Sequence, residues 1–155
     1  GEQLGVSRKK AKEYIEQYLK KYNGIKEFMT NIVEDTKEKG FVETLYHRRR
    51  YVPELKSNNY MVRQFGGRVA MNTPIQGTAA DIMKIAMNGV NRRLKEMNMK
   101  SRLVLQVHDE LLIEAHKDEI YQVKEMLSYE MEHAASLLVP LDIDMHDGKN
   151  WYEAK

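Results

Sequence analysis

The sequence predicts an α+β fold, a helical segment followed by a small antiparallel sheet backed by helices. Three observations carry that prediction. Apolar residues recur at helical spacing through most of the first forty positions and again over 57–97 and 117–138. Two short apolar runs, Leu103-Val104-Leu105 and Leu111-Leu112-Ile113, flank an acidic tip and read as two strands. No internal repeat or low-complexity segment intervenes, so helices come first and strands covered by helices follow.

Taken in order, Ser7 caps a helix in which Ala11, Tyr14, Ile15, Tyr18, Leu19 and Tyr22 recur on one face. Asn23-Gly24 breaks it. Ile25, Phe28, Met29, Ile32 and Val33 mark a second amphipathic helix, stopped by Gly40. Residues 41–53 read as a hairpin with an arginine triplet at or just past its turn. A third helix is expected over about 57–71. Thr73-Pro74 then reads as an N-cap and an N1 proline opening a longer helix to about Met97. After the two strands, 117–138 is expected to be helical, with Ile120, Val123, Leu127, Met131 and Ala134 on one face. Pro140 ends it, and 141–145 alternates like a third strand, expected to join the first two in one sheet.

The 155 residues are 42% hydrophobic, enough for one modest core. No apolar run approaches a membrane span, no N-terminal signal pattern is visible, and cysteine is absent. The expectation is a cytoplasmic chain with no membrane partner, and disulfide or thiolate metal chemistry is excluded. A net charge of +2 excludes a histone-like binder, so any nucleic-acid contact must be local.

The most informative residues are Gln106-Val107-His108-Asp109-Glu110. A carboxylate at a strand tip is held rigidly, and oxygen ligands suit Mg²⁺, which fills its remaining positions with water and substrate phosphate. Neighbouring side chains on a strand face apart, so Asp109 and Glu110 serve one metal only if the backbone turns between them. A solvated turn carries the same residues. Arg68, Asn72 and Gln76 lie four apart and form a polar stripe if the helix runs on through Pro74. A solvated helix face is the plain alternative, but apolar Val69, Ala70, Met71 and Ile75 argue that the region is not freely exposed. Such donors suit the duplex minor groove, whose acceptors sit at similar positions in every base pair, so they test pairing without reading sequence. Arg48, Arg49 and Arg50 repel one another unless anions are near, and phosphates would relieve that. Asp142, Asp144, His146 and Glu153 mimic a calcium loop, but Asp147 stands where the sharp turn demands glycine, so calcium is not expected.

Four stretches occur together and in order. They are 44–53 (TLYHRRRYVP), 72–82 (NTPIQGTAADI), 105–111 (LQVHDEL) and 139–144 (VPLDID), with an end at 151–155 (WYEAK). In these the chain resembles the C-terminal part of the family A DNA polymerases, the bacterial DNA polymerase I type. The resemblance covers nearly the whole chain. It implies a partial fingers subdomain over 1–56 and a partial palm over 57–155 carrying the catalytic-aspartate hairpin. It implies Asp109 as one of two metal-bridging carboxylates and Glu110 as an auxiliary acidic position, with two Mg²⁺ ions in the complete enzyme. It places His108 beside the primer terminus, Arg68, Asn72 and Gln76 on the primer-template duplex, and Arg48 and Arg50 near the template strand. The family's second catalytic aspartate and the helix that holds the incoming deoxynucleoside triphosphate lie upstream of the matched region. The chain is therefore expected to need the upstream part of the same polymerase and to be inactive alone. One departure stands out: the family usually has Ala-Glu where this chain has Gly66-Gly67. Two glycines weaken a helix by roughly 1 kcal/mol each and remove a carboxylate that would orient Arg68. The alternative reading is a non-catalytic nucleic-acid-binding module. A metal-dependent hydrolase would need a second ligand cluster, and the sequence offers none with suitable spacing.

Overall fold

The computed structural model describes residues 5–154. The first helix, α1 (Arg8–Lys21), opens as predicted, with Ser7 Oγ accepting from the Lys10 N–H at 3.3 Å. A single residue, Tyr22, separates it from α2 (Asn23–Lys39). The break thus falls at Tyr22, one residue before the predicted Asn23-Gly24, and those two residues open α2 rather than interrupting the chain. Gly40 ends α2 in the left-handed region, φ 83°, and its N–H returns to the Thr36 carbonyl at 2.8 Å. A side chain is disfavoured at that φ, so glycine is the natural stop.

The expected hairpin follows as β1 (Phe41–Glu43) and β2 (Arg49–Tyr51), antiparallel, with Phe41 opposite Tyr51 and Glu43 opposite Arg49. A 3₁₀ turn over Pro53–Lys56 leads to α3 (Tyr60–Asn72). Here the predicted start needs correction. Ser57 spends its hydroxyl on the Asn59 N–H, and Asn59 is the cap, accepting from the N–H groups of Met61 and Val62. One carboxamide oxygen satisfies two orphan donors, which a serine two residues earlier cannot reach. Val42, Val52, Leu55, Val69 and Ala70 form the core beneath, with Ile32 and Val33 packed against it. Gly66 is part of that packing. A Cβ there would lie 2.9 Å from the Leu55 nitrogen and 3.0 Å from the Glu54 Cβ, whereas Gly67 faces open space. Of the two glycines, only the first is explained by close approach to the 3₁₀ turn.

Thr73-Pro74 does not open a helix. Thr73 is itself helical, φ −60° and ψ −42°, and its hydroxyl donates back to the Val69 carbonyl at 2.7 Å. The backbone instead passes through a π-helical segment, Thr73–Gly77, into α4 (Thr78–Glu96). Proline lacks an N–H and clashes with the carbonyl four residues back, and a π insertion relieves both without ending the helix. The division between the chain's two compact units, Gly1–Ile75 and Gln76–Lys155, falls inside this segment.

In the second unit, β3 (Arg102–Val107) and β4 (Glu110–Glu114) pair antiparallel, with Val107 opposite Glu110 and a register irregularity between Leu103 and Leu105. A 3₁₀ turn, Lys117–Glu119, leads into α5 (Ile120–Glu132). Val90, Leu94 and Met126 are the buried core, and Leu103, Leu111, Ile113 and Leu127 pack on it. The fold is α+β as predicted, with two small antiparallel sheets among helices. Two expectations fail. Helix α5 stops at Glu132 rather than Leu138; His133 leaves the helix with its N–H at 3.1 Å and its Nδ1 at 2.9 Å from the Tyr129 carbonyl. Residues 141–145 keep the predicted alternation, with Leu141, Ile143 and Met145 half-buried between exposed aspartates, but join neither sheet. Alternation specifies which side chains face in; a ladder also needs a partner edge in reach.

The root of the β3–β4 hairpin is stapled by Glu119. Its carboxylate accepts from the Lys100 N–H at 3.0 Å, the Ser101 N–H at 2.9 Å and the Ser101 hydroxyl at 2.6 Å. The Lys100 N–H and then the Ser101 hydroxyl contribute most to holding its pKa at about 2, below the ordinary 4.5. A depressed pKa gives stability that is fully present above the unfolded value and is lost as pH falls through the folded one. The stability gap between the wild type and Glu119→Gln is therefore expected to be widest above pH 4.5 and to close toward pH 2. Urea unfolding across that range checks it, and a gap independent of pH would contradict the staple.

Candidate functional site

The tip of the second hairpin is built by a two-residue turn, His108-Asp109, closed by the Val107–Glu110 pair. His108 sits at φ 51°, while Asp109 is not in the positive-φ region. The turn supplies the change of direction that the alternation argument required. Asp109 occupies the turn, Glu110 opens β4, and both carboxylates are exposed. The Gln106 side-chain nitrogen donates to the His108 carbonyl at 2.6 Å, tying the turn to the strand before it. Among the described residues, no three histidine, aspartate or glutamate side chains gather as a metal cage.

The arginine triplet divides by neighbours. Arg49 Nε lies 2.8 Å from Glu43 Oε1, and its guanidinium stacks 4.5 Å from the centre of the Phe41 ring. That hydrogen bond holds the Glu43 carboxyl below its ordinary range and raises Arg49 above its own. Arg49 is thus spent on the hairpin. The Arg48 N–H and carbonyl bond Thr44, which fixes the turn, and His47 beside it has φ 61°. Arg48 and Arg50 are exposed.

Arg68 and Asn72 lie one turn apart on α3, and both are exposed. Gln76, also exposed, falls in the π segment and belongs to the second unit. The π insertion breaks the 3.6-residue period on which the single polar stripe rested. The expectation that the region is shielded is also corrected. Val69 and Ala70 are buried, but Arg68, Asn72 and Gln76 are each exposed, and so is Ile75. Arg68 has no carboxylate at position 67, and its guanidinium stands 6.0 Å from the Phe65 ring centre. Sequence reasoning named Gln106 beside the acidic tip but gave it no task, and it did not foresee the Glu43–Arg49–Phe41 group. The latter has a signal only once the register is known, since opposite charges face each other across the strands.

Residues 1–153 match the family described as "DNA polymerase family A". The chain is 53% identical over 152 residues to "DNA polymerase I" of Bacillus caldotenax and 51% identical to that of Bacillus subtilis (strain 168), covering 98% of this chain and 17% of each relative. It thus spans about a sixth of their length. Among solved structures it is similar to the "POL domain of Pol1 from M. smegmatis complex with DNA primer-template and dNTP". The TM-score is 0.93 with 39% identity, over 99% of this chain and 27% of that one. The chain belongs to DNA polymerase family A.

Proposed function

We propose that this chain is the part of a DNA-directed DNA polymerase that carries one metal-bridging carboxylate and a track of primer-template contacts. The observation that supports this most directly is Asp109 in the turn of a two-residue hairpin with Glu110 beside it, both exposed. In the reaction the primer 3′-hydroxyl oxygen bonds the α-phosphorus of a deoxynucleoside triphosphate, the bond to pyrophosphate breaks, and the hydroxyl proton is lost. The donor set fits Mg²⁺, which prefers oxygen ligands and takes few of them from protein. When bound, two such ions would supply activation of the attacking oxygen and neutralisation of the leaving group, with Asp109 holding its carboxylate toward them. Asp109 holds its carboxylate at the tip, Glu110 adds negative charge, and His108 orients the primer end. Arg48 and Arg50 meet template phosphates. Arg68, Asn72 and Gln76 donate to minor-groove acceptors.

In this reading residues 1–56 are part of a fingers subdomain and 57–155 part of a palm, in a bacterial cytoplasmic enzyme. The rest of the metal site and the nucleotide-binding helix come from the upstream part of the same polymerase. Rows of exposed apolar side chains, Tyr14, Ile15 and Tyr18 on α1 and Val104 and Leu105 on β3, support a covering partner.

The test is a chimera in which this chain replaces the matching 152 residues of Bacillus caldotenax DNA polymerase I. Template-dependent primer extension is expected from the chimera, and none above background from the chain alone. A folded chimera that binds primer-template normally but does not extend it would favour a non-catalytic binding module. In the active chimera, Gln76→Ala is expected to weaken extension by about 3- to 10-fold, one hydrogen bond's worth. The loss should be nearly equal for all terminal base pairs. Strong dependence on the terminal pair would assign Gln76 another role.

A further inference from the structure

We propose that Gln106 is a positioning residue that sets the aim of the Asp109 carboxylate. The inference rests on the reading of Asp109 as a metal-bridging group. The carbonyl that Gln106 holds belongs to the peptide unit joining His108 to Asp109. Its orientation sets ψ of His108 and φ of Asp109 together, and so the direction in which the Asp109 side chain leaves the backbone.

Two-residue hairpin turns come in two favoured forms that differ by rotation of this central peptide. One has positive φ at the first central residue only, the other at both. His108 at φ 51°, with Asp109 outside the positive region, shows the first sign pattern. Glycine would normally occupy the first position of that form. Here a histidine does, at a positive φ that an L side chain disfavours. The local sequence therefore does not select this turn by backbone preference alone. The Gln106 amide, 2.6 Å from the His108 oxygen, supplies the selection. Rotating the peptide would carry that oxygen away from the amide and turn Asp109 toward a positive φ.

Gln106 is exposed and lies opposite Leu111 in the ladder, so its side chain is not needed to fill the core. Losing the amide is expected to change the turn and leave the fold intact. Of the two variants, Gln106→Ala removes the bond, and Gln106→Glu keeps the shape but replaces the donor with a carboxylate that repels the carbonyl.

The first measurement uses this chain itself. In Gln106→Ala and Gln106→Glu the amide signals of residues 108–110 are expected to shift strongly or double, while those of α4 and α5 stay in place. Unchanged signals at the tip would overturn the proposal whatever the enzyme does. The second uses the active chimera. Here kcat is expected to fall about 10- to 100-fold, as for residues that orient a metal-binding group. The Mg²⁺ concentration for half-maximal rate should rise, and KM for primer-template should stay within about 2-fold. A rise in primer-template KM with kcat unchanged would mean that Gln106 touches DNA directly, and would overturn the positioning role. If the unsubstituted chimera fails to extend a primer, the polymerase reading falls, while the signals at the tip still decide what Gln106 does.

Discussion

Asp109→Ala in the polymerase chimera is expected to lower kcat by about 10³-fold or more, with little change in primer-template affinity. The carboxylate is proposed to act on charge that develops only as the 3′-oxygen attacks and pyrophosphate departs, so its loss is felt in the transition state. Asp109 is exposed in a turn, so removing it leaves no cavity and no buried partner. The folded stability of the chain should change by no more than about 0.5 kcal/mol. Glu110→Ala is expected to be milder, about 10-fold, as for an outer-shell group. Glu110 begins β4 opposite Val107, whereas Asp109 sits at the turn itself. Steady-state kinetics with a primer-template binding measurement separates these outcomes. Equal losses for the two substitutions would contradict the assignment, and a large loss of DNA affinity in Asp109→Ala would recast the residue as a binding group.

Leu94→Ala is expected to destabilise the second unit by about 2–5 kcal/mol, the usual range for truncating a buried leucine. Leu94 is 4% exposed and forms, with Val90 and Met126, the floor on which Leu103, Leu111 and Ile113 of the hairpin pack. That core is small, so one emptied position is a large share of it. The first unit has its own buried cluster of Val42, Val52, Leu55, Val69 and Ala70, with which Leu94 shares no residue. The substitution is therefore expected to separate the unfolding of the two units rather than shift one transition. Signals from 41–52 should persist to higher denaturant than those from 102–114. Leu138→Ala, at a fully exposed position, serves as the control and should change stability by less than about 0.5 kcal/mol. Matching losses for the two leucines would contradict the location of the core.

Features decided by near neighbours were legible in the sequence. Ser7 as a cap, Gly40 as a left-handed stop and the period of α1 and α2 depend on residues within a turn or two, and all occur as read. The β3–β4 hairpin was legible because two apolar runs flank a two-residue gap that only a tight turn can close. Family membership was legible because four motifs keep their order. What failed required knowledge of distant partners. Thr73-Pro74 carries a sound local signal for a helix start, yet Thr73 is buried and continues the helix, and the backbone absorbs the proline in a π segment instead. Residues 141–145 alternate correctly but find no ladder among the described residues. Arg49 could not be told from Arg48 and Arg50 until the register set it against Glu43. Nor could Gln106 be given a task until the turn brought the His108 carbonyl within reach of its amide. Sequence by itself determined the family, most of the helices and both hairpins. Only the tertiary structure decided which polar groups are engaged within the fold, as Arg49 is by Glu43 and the His108 carbonyl by Gln106, because that depends on contacts the folded backbone brings together.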